Sequence, residues 1–152
     1  MVIRAGSEDD AEATARVHVE SWAAAYTLKG PSPEQRLDLH RRSPPSFVAE
    51  VDGEVVGFVG VGPSRDPDAE GELYTIYVHP DHWGTGVGRE LIRAGEGRMN
   101  DLGYRRVVLW VLDGNARAQR FYESAGWLPD GKRRTIEFVG ESIPEVRYAK
   151  QL

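Results

Sequence analysis

Glu72-Leu-Tyr-Thr-Ile-Tyr-Val-His-Pro-Asp-His-Trp-Gly-Thr-Gly-Val-Gly-Arg-Glu90 is the stretch on which the fold turns. Its first part, Glu72 to His79, is rich in Tyr, Thr, Ile and Val and reads as a strand. Pro80 ends that strand. Three glycines then alternate at 84, 86 and 88. Without Cβ atoms the backbone there bends tightly and comes close to a ligand. Gly88, Leu91, Ile92, Gly95, Met99 and Leu102 recur at helical spacing and mark one face of a helix, which Gly103 closes. Val107 to Leu112 is six consecutive apolar residues, too short for an independent helix and suited to a central strand buried on both faces. Strand, helix and strand in that order form a crossover, so the two strands are predicted to be parallel.

Upstream, Val2 to Ala5 reads as a short opening strand. Ser7-Glu-Asp-Asp10 fits a capping box with the Asp10 carboxylate in place of Glu or Gln. A helix to about Tyr26 follows, with Ala15, His18, Val19, Trp22 and Tyr26 on one face. Lys29-Gly-Pro-Ser-Pro33 breaks it. Pro33 to Arg42 reads as a second, short helix whose weak apolar side is Leu37 and Leu39. Phe47 to Val51 and Val55 to Val61 flank Asp52-Gly53, a two-residue hairpin turn. Gly57, Gly60 and Gly62 weaken the return strand and suggest a bulge. Downstream, Asn115 to Ala125 is helical, and Arg134 to Val139 and Glu145 to Lys150 read as closing strands. The hairpins make these pairings antiparallel, so the chain is an α/β (α+β) protein with a mixed sheet and helices on its faces.

The 152 residues suit one domain. With 40% hydrophobic and 28% charged residues the composition is that of a folded chain. No cysteine is present, which removes disulfides, thiolate metal sites and a cysteine nucleophile together. A net charge of −5 argues against a phosphate-tracking nucleic-acid binder and fits a cationic amine as partner. No stretch approaches the ~20 apolar residues of a membrane span, and the acidic opening has no apolar signal core. The expectation is a cytoplasmic protein with no membrane partner.

The glycine turn joins a strand end to a helix start. There the first helical N–H groups point outward with partial positive charge behind them, a natural seat for a phosphate or pyrophosphate. Arg89 adds a cation for a charge-assisted bond. No Lys-Ser or Lys-Thr follows the glycines, which speaks against a nucleoside-triphosphate loop. Arg89 also occupies the place where a dinucleotide fingerprint needs its third glycine. On the turn alone, a connection that binds nothing stays open beside the anion site.

Trp83-Gly84-Thr85-Gly86-Val87-Gly88 lies on the pattern [QR]-x-x-G-x-[GA]. Before it stands Leu73 to Pro80; after it come Leu109-Trp-Val-Leu112 and Asn115-Ala-Arg-Ala-Gln-Arg-Phe-Tyr-Glu-Ser-Ala-Gly-Trp127, on the pattern N-x₆-Y-x₃-G-[FW]. In this order and spacing, the chain resembles the GCN5-related N-acetyltransferase (GNAT) superfamily over nearly its whole length. One departure is Trp83, where the family usually has Gln or Arg; the cradle itself relies on backbone N–H groups. The resemblance implies a single GNAT domain over 1–152. Its mostly antiparallel, twisted sheet of about seven strands carries a splayed parallel central pair and is flanked by about four helices. It implies acetyl-CoA (coenzyme A) as cofactor. The backbone of Ile76, Tyr77 and Val78 would meet the pantetheine arm and acetyl group. The amides of Gly84, Gly86, Val87, Gly88 and Arg89 would hold the pyrophosphate, with Thr85 and Asn115 beside them.

Acetyl transfer to an amine needs a deprotonated nitrogen, donors for the developing oxyanion and a proton for the leaving thiolate. Direct attack needs no covalent enzyme intermediate. The resemblance puts Tyr122 near the thioester sulfur, and a phenol with an unperturbed pKa near ~10 stays protonated at neutral pH. A backbone N–H near Val78 would meet the oxyanion. For the base, Glu72 stands fourteen residues before Gly86, a spacing some protein-lysine acetylating members share; His79 and His82 are rivals by their ordinary pKa, and water could relay the proton. Trp22 and Tyr26, one helical turn apart, would line the acceptor pocket that the family builds from its first two helices. Core packing is an equal reading for them, and for Trp110 and Trp127 it is the preferred one. Lys132-Arg-Arg134 reads as a solvated hairpin rather than a contact to the cofactor's 3′-phosphate. Homodimers are common in the superfamily, and nothing in this chain decides for or against one. The other readings are a non-catalytic acyl-CoA-binding module and, more remotely, a nucleotide-binding regulator.

Overall fold

The computed structural model describes residues 1–25, 30, 32–138 and 140–152. Tyr26 and Val139 lie outside the described residues. Along the chain run β1 (Val2–Ala5), α1 (Ala11–Ala25), α2 (Pro33–Arg42), β2 (Phe47–Val51), β3 (Glu54–Pro63), β4 (Gly71–Val78), α3 (Val87–Asp101), β5 (Arg106–Leu112), α4 (Ala116–Ser124), β6 (Leu128–Phe138) and β7 (Glu141–Gln151). The strands form a seven-stranded sheet in the order β1-β2-β3-β4-β5-β7-β6. The β4–β5 pairing is parallel, with Gly71 opposite Val107 and Glu72 opposite Val108. Pairings β1–β2, β2–β3, β5–β7 and β6–β7 are antiparallel. Among the described residues no helix is long and apolar enough to cross a membrane.

By its contacts the chain divides into two units, Met1–Val61 with Thr75–Gly97 and Gly62–Tyr74 with Arg98–Leu152. In the first, Asp52 and Gly53 both take positive φ, the hairpin geometry that their sequence predicts. A register shift between Ala49 and Glu50 marks the bulge of this hairpin. Val17, Val48, Val55 and Phe58 form a buried cluster. Gly57 serves packing: a Cβ there would lie 2.9 Å from Leu91 Cδ1, so the bare backbone lets α3 press on β3. Leu91 and Ile92 are buried there, each contributing about 1.5–3 kcal/mol by leaving water. Leu102, by contrast, is exposed, so the apolar face of α3 ends a turn earlier than its spacing predicts. The expected capping box opens into a short 3-10 turn, Glu8–Asp10, before α1 begins. Asp10 accepts from the Ser7 N–H at 2.9 Å and from Arg4 at 2.7 Å.

In the second unit Trp127 is fully buried, as expected. Trp110 is half-buried rather than core. Its indole N–H donates to Asp66 at 2.8 Å, and Arg134 lies 4.2 Å over its ring. Arg147 is the organising cation here: it is 2% exposed and donates to Asp68 at 2.6 Å, Asp130 at 2.8 Å and Asp66 at 3.2 Å. Lys132, Arg133 and Arg134 pair with Asp68, Asp113 and Glu145 respectively.

Candidate active site

At the end of β4 the chain turns through a single 3-10 turn, Pro80–His82, with Pro80 in the first helical position. His79 caps it: its Nδ1 accepts the Asp81 N–H at 3.2 Å. Its Nε2 meets the Glu20 carboxylate of α1. Both ring nitrogens are therefore engaged. The Trp83 indole N–H donates to the Val78 carbonyl at 2.8 Å. The unusual tryptophan thus ties the glycine turn back to the strand through the Val78 carbonyl. Thr85 Oγ1 donates to the His82 carbonyl at 2.6 Å.

Gly84 and Gly86 follow with φ of +76° and +92°, values that residues bearing a Cβ rarely adopt. A Cβ at either would meet no atom within 4 Å. These two glycines answer to backbone conformation, and the space over them is open. The Glu90 N–H closes the first helical bond onto the Gly86 carbonyl at 3.1 Å. The amides of Val87, Gly88 and Arg89 consequently have no acceptor inside α3. An amide-lined, left-handed turn opening into a helix N-terminus is a fitting receptor for a diphosphate group.

The other expected residues sit as follows. Ile76, Tyr77 and Val78 are half-buried at the end of β4. Asn115 is the N-cap of α4, its Oδ1 accepting the Ala118 N–H at 3.2 Å. Tyr122 is buried on α4, while its neighbour Phe121 is half-buried. The Tyr122 ring lies 6.2 Å from Tyr148. Glu72 is 1% exposed, accepts from Arg65 Nη2 at 2.5 Å and takes the Arg65 N–H at 3.1 Å. A carboxylate so engaged would have to leave its guanidinium to accept a proton from an amine.

A further cluster carries no signal in apolar spacing. Helix α2 buries Arg36 and His40, whereas Leu39 is exposed; the expectation of a Leu37–Leu39 apolar side is corrected accordingly. His18 Nδ1 meets His40 Nε2 at 3.3 Å, and Arg36 Cζ lies 5.2 Å over the Trp22 ring. The His18 ring lies 4.5 Å from that of Tyr77. Burial, then the Arg36 charge and His40, push the His18 pKa down to about 3. Burial and Arg36 likewise hold His40 below its ordinary value, and burial lowers Arg36 itself. The signal that could have found this cluster is a pair of i,i+4 spacings, His18–Trp22 and Arg36–His40, each placing two partners on one helix face.

The model of the Acetyltransferase (GNAT) family matches residues 12–127. A relative from Archaeoglobus fulgidus, described as an uncharacterized N-acetyltransferase, is 34% identical over 133 residues, covering 82% of this chain and 90% of its own. The mycothiol acetyltransferase of Thermomonospora curvata is 40% identical over 98 residues, 64% of this chain but 31% of its own length. Among solved structures, Ard1 from Thermoplasma volcanium superposes with TM-score 0.78 at 25% identity, over 99% of this chain and 97% of its own. The protein yncA of Salmonella typhimurium, solved with its cofactor acetyl-CoA, shares the fold at TM-score 0.74 and 22% identity, over 99% of this chain and 93% of its own. The chain belongs to the acetyltransferase (GNAT) family.

Proposed function

We propose that residues 1–152 act as one domain that transfers an acetyl group from acetyl-CoA to a primary amine by direct attack. The observation that carries this is the turn at Gly84 and Gly86, left-handed at both glycines, open above them and leading into the amides of α3. The amides of Gly84, Gly86, Val87, Gly88 and Arg89 hold the diphosphate, with Thr85 fixing the turn and Asn115 fixing the start of α4. When bound, acetyl-CoA supplies a thioester-activated acetyl group. The end of β4, at Ile76, Tyr77 and Val78, orients the arm that carries it. Tyr122 holds a proton at its phenol oxygen for the departing sulfur. Glu72, paired with Arg65, is the weaker choice for the group that takes the amine proton; water reaching the acceptor can serve instead.

The test is release of coenzyme A thiol with acetyl-CoA and a panel of amines. The wild-type chain releases thiol in an amine-dependent manner, and Tyr122→Phe slows it about tenfold or more with acetyl-CoA affinity retained. Tight acetyl-CoA binding without amine-dependent release in the wild type would make the chain a binding module instead.

A further inference from the structure

Two arginines of this chain are 2% exposed, and they are treated oppositely. Arg147 is met by three carboxylates, Asp66, Asp68 and Asp130. Arg36 is met by none among the described residues. Its Nη1 donates to the His18 carbonyl at 3.0 Å, its face lies against Trp22, and its Nε has no hydrogen-bond partner. Neighbouring His18 and His40 are neutral or cationic in either protonation state and supply no counter-charge. A buried cation without an anion is costly, and an unsatisfied buried donor calls for a partner. The backbone makes room for this cation: a Cβ on half-buried Gly30 would lie 1.9 Å from Arg36 Nη2. From Arg36 the contacts run through His18 to the Tyr77 ring at the end of β4, the strand end assigned above to the acetyl-bearing arm.

The geometry points to Arg36 as the receptor for a carboxylate carried by the acceptor, which makes the acceptor a small amino acid rather than a plain amine or polyamine. This rests on the acetyltransferase reading of the same site. A guanidinium offers planar, directed donors suited to a carboxylate. Trp22, half-buried beside it, supplies an apolar wall for the acceptor's carbon chain.

The experiment compares glycine, β-alanine and phenylalanine with their primary amides in thiol release, for the wild type and Arg36→Gln. The wild type prefers each acid over its amide by about tenfold or more in kcat/KM, and Arg36→Gln collapses that ratio. A wild type that treats acid and amide alike overturns the inference, as does an Arg36→Gln variant that keeps the ratio. Propionate titrated into the wild-type chain with coenzyme A present, read at the Trp22 indole NMR signal, tests the receptor without turnover or any variant. Saturable shifts with propionate and none with propionamide support it; no shift with propionate overturns it. Propionate binding with no transfer to any amine would leave the carboxylate receptor standing and remove the transferase reading. Transfer to amides as readily as to acids would do the reverse.

Discussion

Glu72 and Arg65 meet at 2.5 Å, with the Glu72 side chain 1% exposed and the Arg65 side chain 64% exposed. The buried partner has most to lose when the pair is broken, since Arg65 can return to water. Glu72→Gln should therefore lower stability by about 1–3 kcal/mol, measured by urea unfolding. An unchanged midpoint with a large loss of transfer rate would restore Glu72 as the catalytic base. Its fourteen-residue spacing from Gly86 was legible in the sequence, but its partner was not, because Arg65 lies in a connection with no periodicity to reveal what it faces. Trp110 teaches the same lesson. An apolar run predicts burial on both faces, yet this indole spends its N–H on Asp66 and one face on Arg134. Arg36 was invisible for the converse reason, since a pattern of apolar residues cannot announce a charged side chain that turns inward.

At the scale of elements, the glycine turn and α3 act as one device. Gly86 is both a left-handed hinge at φ +92° and the acceptor of the first helical bond. Gly86→Glu strains that backbone and sets a negative charge in the open space where a diphosphate would lie. Calorimetry should find acetyl-CoA binding abolished in this variant; normal affinity would mean that the diphosphate seat is elsewhere. Helix α2 was read with its true bounds, Pro33 to Arg42, because Pro33 starts it; the reciprocal cap between Ser32 and Gln35 is a feature the structure adds. Strand β6 was not. It begins at Leu128, well before the expected Arg134. Pro129-Asp-Gly131 has the composition of a loop but forms an irregularity within the strand, with Gly131 at φ +86° and the register shifting between Pro129 and Arg133.

For the whole molecule, element order was legible because hairpin and crossover signals fix which neighbours pair and in which direction. Net charge was less instructive. A value of −5 favours a cationic partner on average, while the cation of Arg36 asks locally for an anion. Half-buried His18 and buried His40 also make global stability depend on pH. The folded pKa of His18, about 3, lies below its unfolded value near ~6.5; His40 is shifted in the same direction. Between those values the unfolded chain binds more protons, so stability present above pH ~6.5 is lost as pH falls. The slope reaches at most about 1.4 kcal/mol per pH unit for each histidine. Asp10 and Asp68, held below the usual carboxylate range by hydrogen bonds from Arg4 and Arg147, add their losses only below pH ~4. Urea midpoints should thus fall between pH 7 and pH 5, and a flat midpoint over that interval would contradict the lowered pKa values of His18 and His40.

The seat of the diphosphate can be observed directly by titrating coenzyme A into the ¹⁵N-labelled chain and following backbone amides. The largest displacements are predicted at Gly84, Gly86, Val87, Gly88 and Arg89. If those signals stay in place while amides elsewhere move, the turn is not the cofactor's cradle.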